Sequence, residues 1–412
     1  MQDECVKQDL KVLCVGPIMP PVHGQSMAFT RLCESLKHDE SCTHESTNPS
    51  ITTKVIDTNI THLHWFVKIW VNLYICLKIF VMGLFYSYDL VYFTCSRSFL
   101  GSIRDILLIQ VAHRRSIPII NHLHGSDFYQ FLHQSHGLYH KILMASYAHV
   151  HTSIVLLDTM RDQVRDFPHM NVEVIYNFYD EYLTDGEVVS APTAQSTLTK
   201  ICEQYGKDHI HILYLSNIMK SKGVFELIRA HKNLQTQGYK LYLHIVGRYM
   251  SDEYMSAEEA KKELTQHVSM NQVSHDHISE LCIYYWESLY GEAKKLLLHH
   301  CDLFILPSYY KSEAFPISII EAMACESAII TSRYKYLPSI INDDQGKIVE
   351  PQSVESLQQA IEFFIQNPTV LTQMKNDNRL YAQTHYTLAT HVHHMKKLFQ
   401  TIYQTHHKST ID

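Results

Sequence analysis

The residues best suited to chemistry in this sequence are two glutamates, Glu313 and Glu321, which seven residues separate. The apolar run 303–306 predicts a strand. A helix is expected after it, with Pro316 in the first turn, where a proline sacrifices no hydrogen bond. Glu313 then lies in the loop and Glu321 about one and a half turns into the helix. Both carboxylates are therefore expected to face one ligand at the carboxyl end of the strand.

The start of the expected helix favours an anion. Its free backbone N–H groups and the helix dipole attract negative charge, most simply a phosphate. A phosphate with a carboxylate on either side suits a sugar nucleotide, because amides can bind the diphosphate while carboxylates accept hydrogen bonds from ribose and hexose hydroxyls. Two glutamates at this spacing also fit an ordinary strand, loop and helix with solvated side chains. The candidate contacts at the helix start are Ala314, Phe315, Pro316 and Ile317.

The flanking residues carry a more specific signal. From Pro307 the chain reads Pro-Ser-x4-Glu-x-Phe-Pro-x4-Glu-Ala-Met-Ala, which resembles the signature of the retaining, GT-B fold glycosyltransferases of family 4 (group 1). The resemblance implies a nucleoside-diphosphate sugar in a cleft between two Rossmann-like domains, with its diphosphate on the second domain. It also implies that Glu321 accepts ribose hydroxyls and that Glu313 is a catalytic residue that holds the hexose.

A lysine near the start of the second half is the expected partner of the diphosphate. Lys222 precedes a glycine and an expected helix, so its ammonium can reach a phosphate while the helix start supplies amides. The family often has Gly-Arg-x4-Lys-Gly here, whereas this chain has Ser216-Asn217, so Lys220 is the candidate to replace the missing arginine. Gly247 ends the next expected strand, where the backbone can approach a ligand closely. The candidate donor contacts are Asn217, Lys220 and Gly247, with Lys222 as a catalytic residue that stabilises the leaving group.

Two loops in the first half resemble further parts of the family pattern. Residues 10–16 predict a buried strand, and the Pro/Gly loop after it has Gly24 and Gln25 where many members have Gly-Gly. By resemblance, this loop contacts donor phosphate or acceptor. His124 follows the expected strand 116–121 in a His-Gly-x-Asp loop, and the resemblance implies a catalytic role in positioning the donor. A plain turn and a structural histidine are the alternative interpretations.

The sequence gives little support for a metal site. Its 29 histidines include the pairs His122/His124 and His393/His394, but no ordered set of His, Cys and carboxylate residues accompanies them. No Asp-x-Asp pair occurs, so the usual metal–diphosphate bridge is missing. We therefore expect metal-independent transfer with no cofactor besides the nucleotide sugar, because lysines and helix dipoles can replace the charge of a divalent cation.

Several positions depart from the family pattern. Ala314, Glu326 and Tyr334-Lys335 stand where the family usually has glycine. Glu326 is expected to cost about 1–2 kcal/mol if its site requires a left-handed backbone. These departures support a second hypothesis, a GT-B protein that scaffolds or binds an active glycosyltransferase, and an epimerase or phosphorylase on the same fold is a third. Lys294 lies in a Gly-Glu-x-Lys helix start that also resembles the family and is interpreted as a surface residue.

Length and composition indicate a two-domain globular protein. The 412 residues are too many for one core, and 46% hydrophobic with 19% charged residues excludes a disordered chain. The net charge of -7 gives no overall excess of basic residues of the kind that binds nucleic acid. The ten cysteines include no Cys-x-x-Cys pair, which is typical of reduced thiols in a cytoplasmic protein. The acidic, polar start predicts no secretory signal.

Strand-like and helix-like segments alternate through both halves. This alternation predicts an α/β protein of GT-B type, with two Rossmann-like, doubly wound parallel sheets that face a cleft. We expect an N-terminal, acceptor-side domain over 1–185, a linker over 186–208 and a nucleotide-sugar-binding domain over 209–386. By analogy, 387–412 is a helix that crosses back to the first domain.

The apolar stretch 62–86 has three interpretations. It is long enough to span a bilayer, but Lys68 and Lys78 interrupt it, and a lysine at mid-membrane costs about 2.5–3.5 kcal/mol. The preferred interpretation is a buried helix with both lysines on its solvated edge, and the third is a helix that rests on a membrane surface. The third would suit a lipid-linked acceptor. Family analogy suggests surface polysaccharide synthesis (LPS, capsule or O-antigen) at the inner membrane face, with a glycan or lipid-linked acceptor.

Overall fold

The computed structural model describes residues 9–20, 24–38, 49–59, 64–186, 209–268 and 282–411. The chain divides into two compact units. Unit 1 comprises Met1–Phe178 together with Leu388–Asp412, and unit 2 comprises Tyr179–Thr387. In each unit the described residues form a six-stranded parallel sheet with helices packed on it. The predicted α/β class with two doubly wound sheets is therefore confirmed.

The elements of the first half alternate regularly between strand and helix. Its strands are Leu10–Gly16 (β1), Ile51–Asp57 (β2), Leu90–Thr94 (β3), Ile119–His122 (β4), Thr152–Val155 (β5) and Asn171–Val174 (β6). Its helices are Gly24–His38 (α1), Trp65–Phe85 (α2), Phe99–Arg114 (α3), Phe128–Gln134 (α4) and Gly137–Tyr147 (α5), with 3₁₀ turns at Asp158–Val164 and Glu181–Leu183.

The second half repeats the alternation. Its strands are Ile210–Leu215 (β7), Leu241–Val246 (β8), Ile283–Trp286 (β9), Leu303–Leu306 (β10), Ala328–Ser332 (β11) and Gly346–Val349 (β12). Its helices are Val224–Thr236 (α6), Ala257–Thr265 (α7), Gly291–His300 (α8), Ile317–Ala324 (α9), Val354–Gln366 (α10), Pro368–His385 (α11) and Leu388–Ile411 (α12), with 3₁₀ turns at Lys220–Lys222 and Leu337–Ser339.

Both sheets reverse their strand order once. In unit 1 the order is β2-β1-β3-β4-β5-β6, and in unit 2 it is β12-β11-β10-β7-β8-β9. The chain leaves β1 towards β2 and returns to β3 on the other side of β1. It likewise leaves β7 towards β8 and β9 and returns to β10 on the other side of β7. Because crossovers are right-handed, the loops after the two strands at each reversal turn to opposite faces, which opens a crevice at their carboxyl ends.

The final helix completes the core of unit 1. Phe29 and Leu32 of α1 lie in one buried cluster with Met395 and Phe399 of α12. The rings of Phe399 and Tyr92, which is on β3, are 5.6 Å apart. All five side chains are buried, so α12 covers one face of this sheet although unit 2 precedes it in the sequence.

Helix α2 is buried along only one stripe, which packs on α3. The Asn72 amide donates to the Leu100 carbonyl (2.8 Å), and Gly83 lies so close to Val111 that a Cβ on the glycine would overlap it. The outward stripe is apolar and exposed along the length of the helix. The preferred interpretation of 62–86 as a buried helix is therefore wrong; residues 62 and 63 lie outside the described part.

The window Trp65–Gly83 is long and apolar enough to cross a membrane, with a mean hydropathy of 1.7 and 28% of the window buried. However, α2 connects β2 with β3, and both strands pair with β1 in one sheet. If α2 crossed a bilayer, the sheet beside it and the polar loops of that sheet would lie in hydrocarbon, which cannot satisfy their backbone groups. Lys68 is partly exposed and lines a cavity of unit 1.

Unit 2 begins earlier than the sequence predicts, because residues 179–185 belong to it. The His299 Nε2 lies 2.8 Å from the Leu183 carbonyl. The ammonium of Lys295, which is buried, donates to the carbonyl of Asp185. These contacts to α8 hold the segment against unit 2. Of the expected linker, residues 187–208 lie outside the described part.

Burial keeps two histidines neutral, one in each unit. His231 Nε2 lies 3.2 Å from the Leu241 carbonyl, and burial lowers the pKa of His231 to about 4. His391 Nδ1 lies 2.7 Å from the Tyr176 carbonyl, and burial lowers the pKa of His391 to about 4 as well. An unfolded histidine takes up its proton near pH 6.5. Stability is therefore complete above about pH 6.5 and is lost as the pH falls towards 4, because only the unfolded chain then binds these protons.

We expect acid to lower the melting temperature and the variant His231→Gln to lose part of this effect. At pH 5 each buried histidine should remove about 2 kcal/mol of stability relative to pH 7.5. The melting temperatures of the wild type, His231→Gln and the control His385→Gln, whose side chain is exposed, should be compared at both pH values. An equal acid shift in all three proteins would contradict this account.

Candidate active site

Two loops meet at the reversal point of unit 2. Loop 216–223 follows β7 and includes the 3₁₀ turn before α6, and loop 307–316 follows β10 and leads into α9. The Tyr309 N–H donates to the Ser221 carbonyl (2.7 Å) and so joins the two loops. Residues that are almost a hundred positions apart in sequence are thereby brought together at the carboxyl edge of the sheet.

Glu313 and Lys222 form a nearly buried ion pair between these loops. The ammonium nitrogen lies 2.7 Å from Oε2, and the side chains are 11% exposed for Lys222 and 7% exposed for Glu313. The Ser308 hydroxyl donates to the same carboxylate oxygen (2.6 Å), and the ammonium lies 4.9 Å from the centre of the Tyr310 ring. Salt screens such an enclosed pair weakly, and removal of one partner would leave the other charge buried.

Gly223 explains how Lys222 reaches this place. The glycine has φ +77°, a left-handed conformation that side chains disfavour. A Cβ on Gly223 would also overlap the carbonyl oxygen of Pro307. The glycine thus allows the start of α6 to press against the β10 loop. The Lys-Gly pair in the sequence therefore reflects a backbone requirement that sets the position of the lysine.

Asp252 holds the same loop from a third direction. Its carboxylate accepts from the Ser221 N–H (2.7 Å) and from the N–H groups of Tyr254 and Met255 (2.9 Å each). Burial opposes ionisation of this carboxyl, but the hydrogen bonds from Ser221 and the two other amides outweigh it and lower the pKa of Asp252. Sequence reasoning missed Asp252, for which the only signal is its place shortly after β8.

Glu321 forms a second, separate ion pair. Its Oε1 lies 2.7 Å from the ammonium of Lys294, and the side chains are 5% exposed for Glu321 and 23% exposed for Lys294. The interpretation of Lys294 as a surface residue is therefore wrong. Lys294 is in the first turns of α8, and the only sequence signal for it was the Gly-Glu-x-Lys start. Glu313 and Glu321 are thus each balanced by their own lysine.

The start of α9 lies slightly later than expected. Pro316 has φ -61° and ψ 121° and occupies the N-cap, so the first helical residue is Ile317. Ala314 and Phe315 are buried, and the Phe315 ring packs edge-on against Tyr386 with centroids 5.4 Å apart. The first N–H groups of any helix have no partner within it, so those at the start of α9 can donate to a phosphate. Phosphate binding at this helix start stays a prediction.

The remaining candidates of unit 2 lie on the same loops. Asn217 is exposed. Burial raises the pKa of the Glu226 carboxyl, and Lys220 is among the cations that oppose this shift, so the charge of Lys220 acts on Glu226. Gly247 is required because a Cβ there would overlap the carbonyl oxygen of Ser216. Gly247 therefore supports loop 216–223 directly.

Two of the residues that stand where the family has glycine adopt the left-handed backbone conformation that glycine favours. Glu326 has φ 65° and Lys335 has φ 46°. Glu326 therefore has a left-handed backbone, which is expected to cost about 1–2 kcal/mol of folding stability. The Glu326 carboxylate lies 3.1 Å from Nε of Arg379, an exposed pair that offsets little of this cost. The loops thus retain left-handed turns although the glycines are absent.

In unit 1 the glycine and the aspartate of the His-Gly-x-Asp loop both contact Arg97. The guanidinium of Arg97 lies over Gly125, where a Cβ would overlap it, and Arg97 Nε lies 2.5 Å from Asp127 Oδ1. His124 follows β4, and its ring centroid is 4.1 Å from that of His122. Burial lowers the pKa of His122 well below its usual value, and His124 adds to this shift. Sequence reasoning missed Arg97, which the glycine and the aspartate hold in place.

Gly24 and Gln25 are not in a loop as expected, because α1 begins at Gly24. Gln25 lines a cavity in unit 1. Pro21 to His23, which precede it, lie outside the described residues.

Histidine pairs do not assemble a metal centre in the described part of the chain. Over those residues, no group of three or more His, Cys, Asp and Glu side chains is placed to hold a metal ion. The His393 and His394 rings, for example, meet edge to face at 5.8 Å.

Residues 200–381 match the family model described as glycosyl transferases group 1. All of the matched residues lie in unit 2. The matched segment, somewhat under half of the chain, contains Lys222, Lys294, Glu313 and Glu321, and so both ion pairs described above.

Three relatives carry glycosyltransferase names. The chain is 26% identical over 184 residues to the capsular polysaccharide biosynthesis glycosyltransferase CapM of Staphylococcus aureus, 44% of each chain. It is 25% identical over 256 residues to the putative teichuronic acid biosynthesis glycosyltransferase TuaC of Bacillus subtilis, 61% of this chain and 56% of that protein. A 72-residue segment, 17% of this chain and 19% of the relative, is 35% identical to an N,N'-diacetylbacillosaminyl-diphospho-undecaprenol alpha-1,3-N-acetylgalactosaminyltransferase of Campylobacter jejuni. The matches to the first two relatives span about half of their length.

Solved structures resemble the chain over nearly its whole length. Sucrose-phosphate synthase from Thermosynechococcus elongatus matches with a TM-score of 0.67 and 16% identity, over 96% of this chain and 100% of that one. HepE of Anabaena in complex with UDP-glucose matches with a TM-score of 0.64 and 15% identity, over 95% of this chain and 100% of that one. At such low identity the likeness shows the fold, which is GT-B.

Replacing Gly223 by alanine should destabilise the protein more than the same change at Gly238. Both glycines have positive φ, but a Cβ at Gly238 meets nothing within 4 Å. Gly238→Ala should therefore cost about 1–2 kcal/mol from the backbone alone, and Gly223→Ala roughly 2 kcal/mol more from overlap with Pro307. Urea unfolding of both variants measures the difference. Equal losses would show that the two loops are not in close contact.

Proposed function

We propose that this protein is a glycosyltransferase that moves a hexose from a nucleoside-diphosphate sugar to a glycan or lipid-linked acceptor, with retention of configuration. The observation that carries the proposal is the enclosed pair of Lys222 and Glu313, at the reversal point where doubly wound sheets bind nucleotides. The group 1 domain and the named relatives support a transferase.

In this proposal the donor lies along the carboxyl ends of β7 and β10. Glu313 accepts hydrogen bonds from hexose hydroxyls and Glu321 from the ribose. The diphosphate lies between the start of α9 and Lys222, whose ammonium has three N–H donors and gives one to Glu313. As the bond to the sugar breaks, these donors stabilise charge on the leaving group. His124 assists in positioning the donor.

The charges already present explain why no metal is expected. Lys222, Lys294 and the dipole of α9 supply positive potential where a divalent cation would otherwise bridge the diphosphate. Glu313 and Glu321 neutralise Lys222 and Lys294, so each of these charged groups has a partner before the donor binds. When the donor binds, it must therefore share hydrogen bonds with lysines and glutamates that already pair with each other.

The relatives suggest where the reaction belongs. CapM and TuaC are named for capsular polysaccharide and teichuronic acid synthesis, and the Campylobacter relative for a diphospho-undecaprenol substrate. We extend this to a surface polysaccharide built on a lipid-diphosphate acceptor by a cytoplasmic enzyme at the inner membrane face. HepE in complex with UDP-glucose makes a UDP-sugar the first donor to test.

A nucleoside diphosphate should raise the melting temperature of the wild type. At about one hundred times its dissociation constant a ligand stabilises the folded state by about 2.7 kcal/mol. Lys222→Met should reduce the shift because a phosphate contact is lost. UDP, ADP and GDP should be compared by thermal shift with and without a chelator. If none of them shifts either protein, the proposed donor site is wrong.

Glu313→Gln should lower transfer and donor hydrolysis about a hundredfold, because the amide cannot replace a carboxylate towards Lys222 and the sugar. Glu253→Gln is the matched control, since Glu253 forms an exposed pair with Lys311 (3.0 Å). Its activity should equal that of the wild type. A catalytically silent scaffold predicts the same background turnover in all three proteins.

A further inference from the structure

Unit 1 has a cavity of about 500 Å³ that the donor site does not use. It lies at the carboxyl ends of β1 and β3, the reversal point of this sheet, where ligands bind in such folds. All of its lining residues belong to unit 1. The polar side chains that line it include Lys68, Asn72, Thr94, Arg97, Ser98 and Arg104.

The charges around this cavity suit an anion. Arg97 pairs with Asp127 and Arg104 with Asp105, so each arginine is balanced, yet a guanidinium has five N–H donors and retains some for a ligand. The ammonium of Lys68 has no side-chain partner among the residues that the structure describes. Lys68 therefore adds a net positive charge to the wall.

Two buried polar atoms in the wall lack partners. Asn72 is 5% exposed and Thr94 is 2% exposed. The Asn72 Oδ1 and the Thr94 hydroxyl make no hydrogen bond with other described residues. Buried polar atoms without a partner are costly and rare. A bound molecule with phosphate oxygens and hydroxyls would satisfy both, because threonine can donate and the amide oxygen can accept.

The cavity borders an exposed apolar surface. Helix α2 carries more exposed large apolar side chains than any other described element, among them Trp65 (66%), Trp70 (62%) and Leu77 (60%). This surface continues onto α3 at Phe99 and Leu100, which also line the cavity. An apolar surface of this kind marks an interaction site.

The composition of α2 favours a membrane over a second copy of the chain. The helix contains two lysines and no acidic residue, which complements anionic lipid headgroups. Its exposed aromatic residues include Trp65, Trp70 and Tyr74, and two of the three tryptophans of the protein are thus on this helix. Tryptophan and tyrosine favour the boundary between headgroups and acyl chains, because their rings are apolar and their tips polar.

We propose that α2 lies in the surface of an anionic bilayer and that the adjacent cavity binds the phosphate-bearing head of an amphiphile whose tail stays in the membrane. That this amphiphile is the sugar acceptor rests on the proposed function. Lys68 and the free donors of Arg97 and Arg104 bind its phosphate. The apolar stripe of α2, with Phe99 and Leu100, contacts the acyl layer.

Vesicle binding tests the docking surface without any need for activity. The full chain should sediment with vesicles of phosphatidylcholine and phosphatidylglycerol, and about fivefold or more weakly with phosphatidylcholine alone. Trp70→Ser/Leu77→Ser should weaken binding about tenfold or more. The control Tyr290→Ser/Leu380→Ser changes exposed side chains of unit 2 and should bind as the wild type does. No binding to either vesicle, or a dimer that only the α2 variant dissociates, would overturn the proposal.

Farnesyl diphosphate, a soluble isoprenoid with an anionic head, tests the cavity itself. Its affinity, measured by calorimetry, should fall about tenfold in Lys68→Gln. Lys78→Gln changes the same charge on the same helix but outside the cavity, and Lys222→Met alters only the donor site. Both should bind the probe as the wild type does. Equal affinity for Lys68→Gln and Lys78→Gln would overturn the cavity assignment, and a loss confined to Lys222→Met would place the probe in the donor site.

Discussion

The reversal of strand order in each sheet is the constraint on which the candidate sites depend. At β7 and β10 the loops leave the sheet towards opposite faces and expose their backbone at one edge. Lys222 and Glu313 come from these two loops and meet there. The same reversal at β1 and β3 opens the cavity of unit 1. One topological rule, applied twice, therefore places both the ion pair of Lys222 and Glu313 and the cavity that Lys68 lines.

Within unit 2 the ion pair depends on a set of backbone requirements. Gly223 lets α6 approach Pro307, Asp252 holds the turn that carries Lys222, and the Ser308 hydroxyl orients the carboxylate of Glu313. Each contact fixes the lysine or the glutamate before a ligand arrives. Electrostatic catalysis requires such preorganisation, because the donors then need little rearrangement as charge develops in a transition state.

Helix α2 combines two roles that conflict in an ordinary soluble protein. Its inner stripe packs on α3 and helps to close the layer over the sheet, whereas its outer stripe exposes tryptophan, phenylalanine and leucine to solvent. Exposed apolar area of this extent is unfavourable unless something covers it. An anionic bilayer would cover it and bring a lipid-linked molecule to the cavity that Lys68 lines.

The sequence by itself determined the alternation of strands and helices, the two sheets, and the loop that carries Glu313, because side-chain periodicity and glycine positions act locally along the chain. It also placed Lys222 beside the glycine that sets its position. Only the tertiary structure decided that Lys294 pairs with Glu321, that Asp252 holds the Lys222 turn, and that Arg97 lies over Gly125. It also decided that one stripe of α2 stays exposed. Those outcomes depend on which distant elements pack together, and local residue patterns do not encode that.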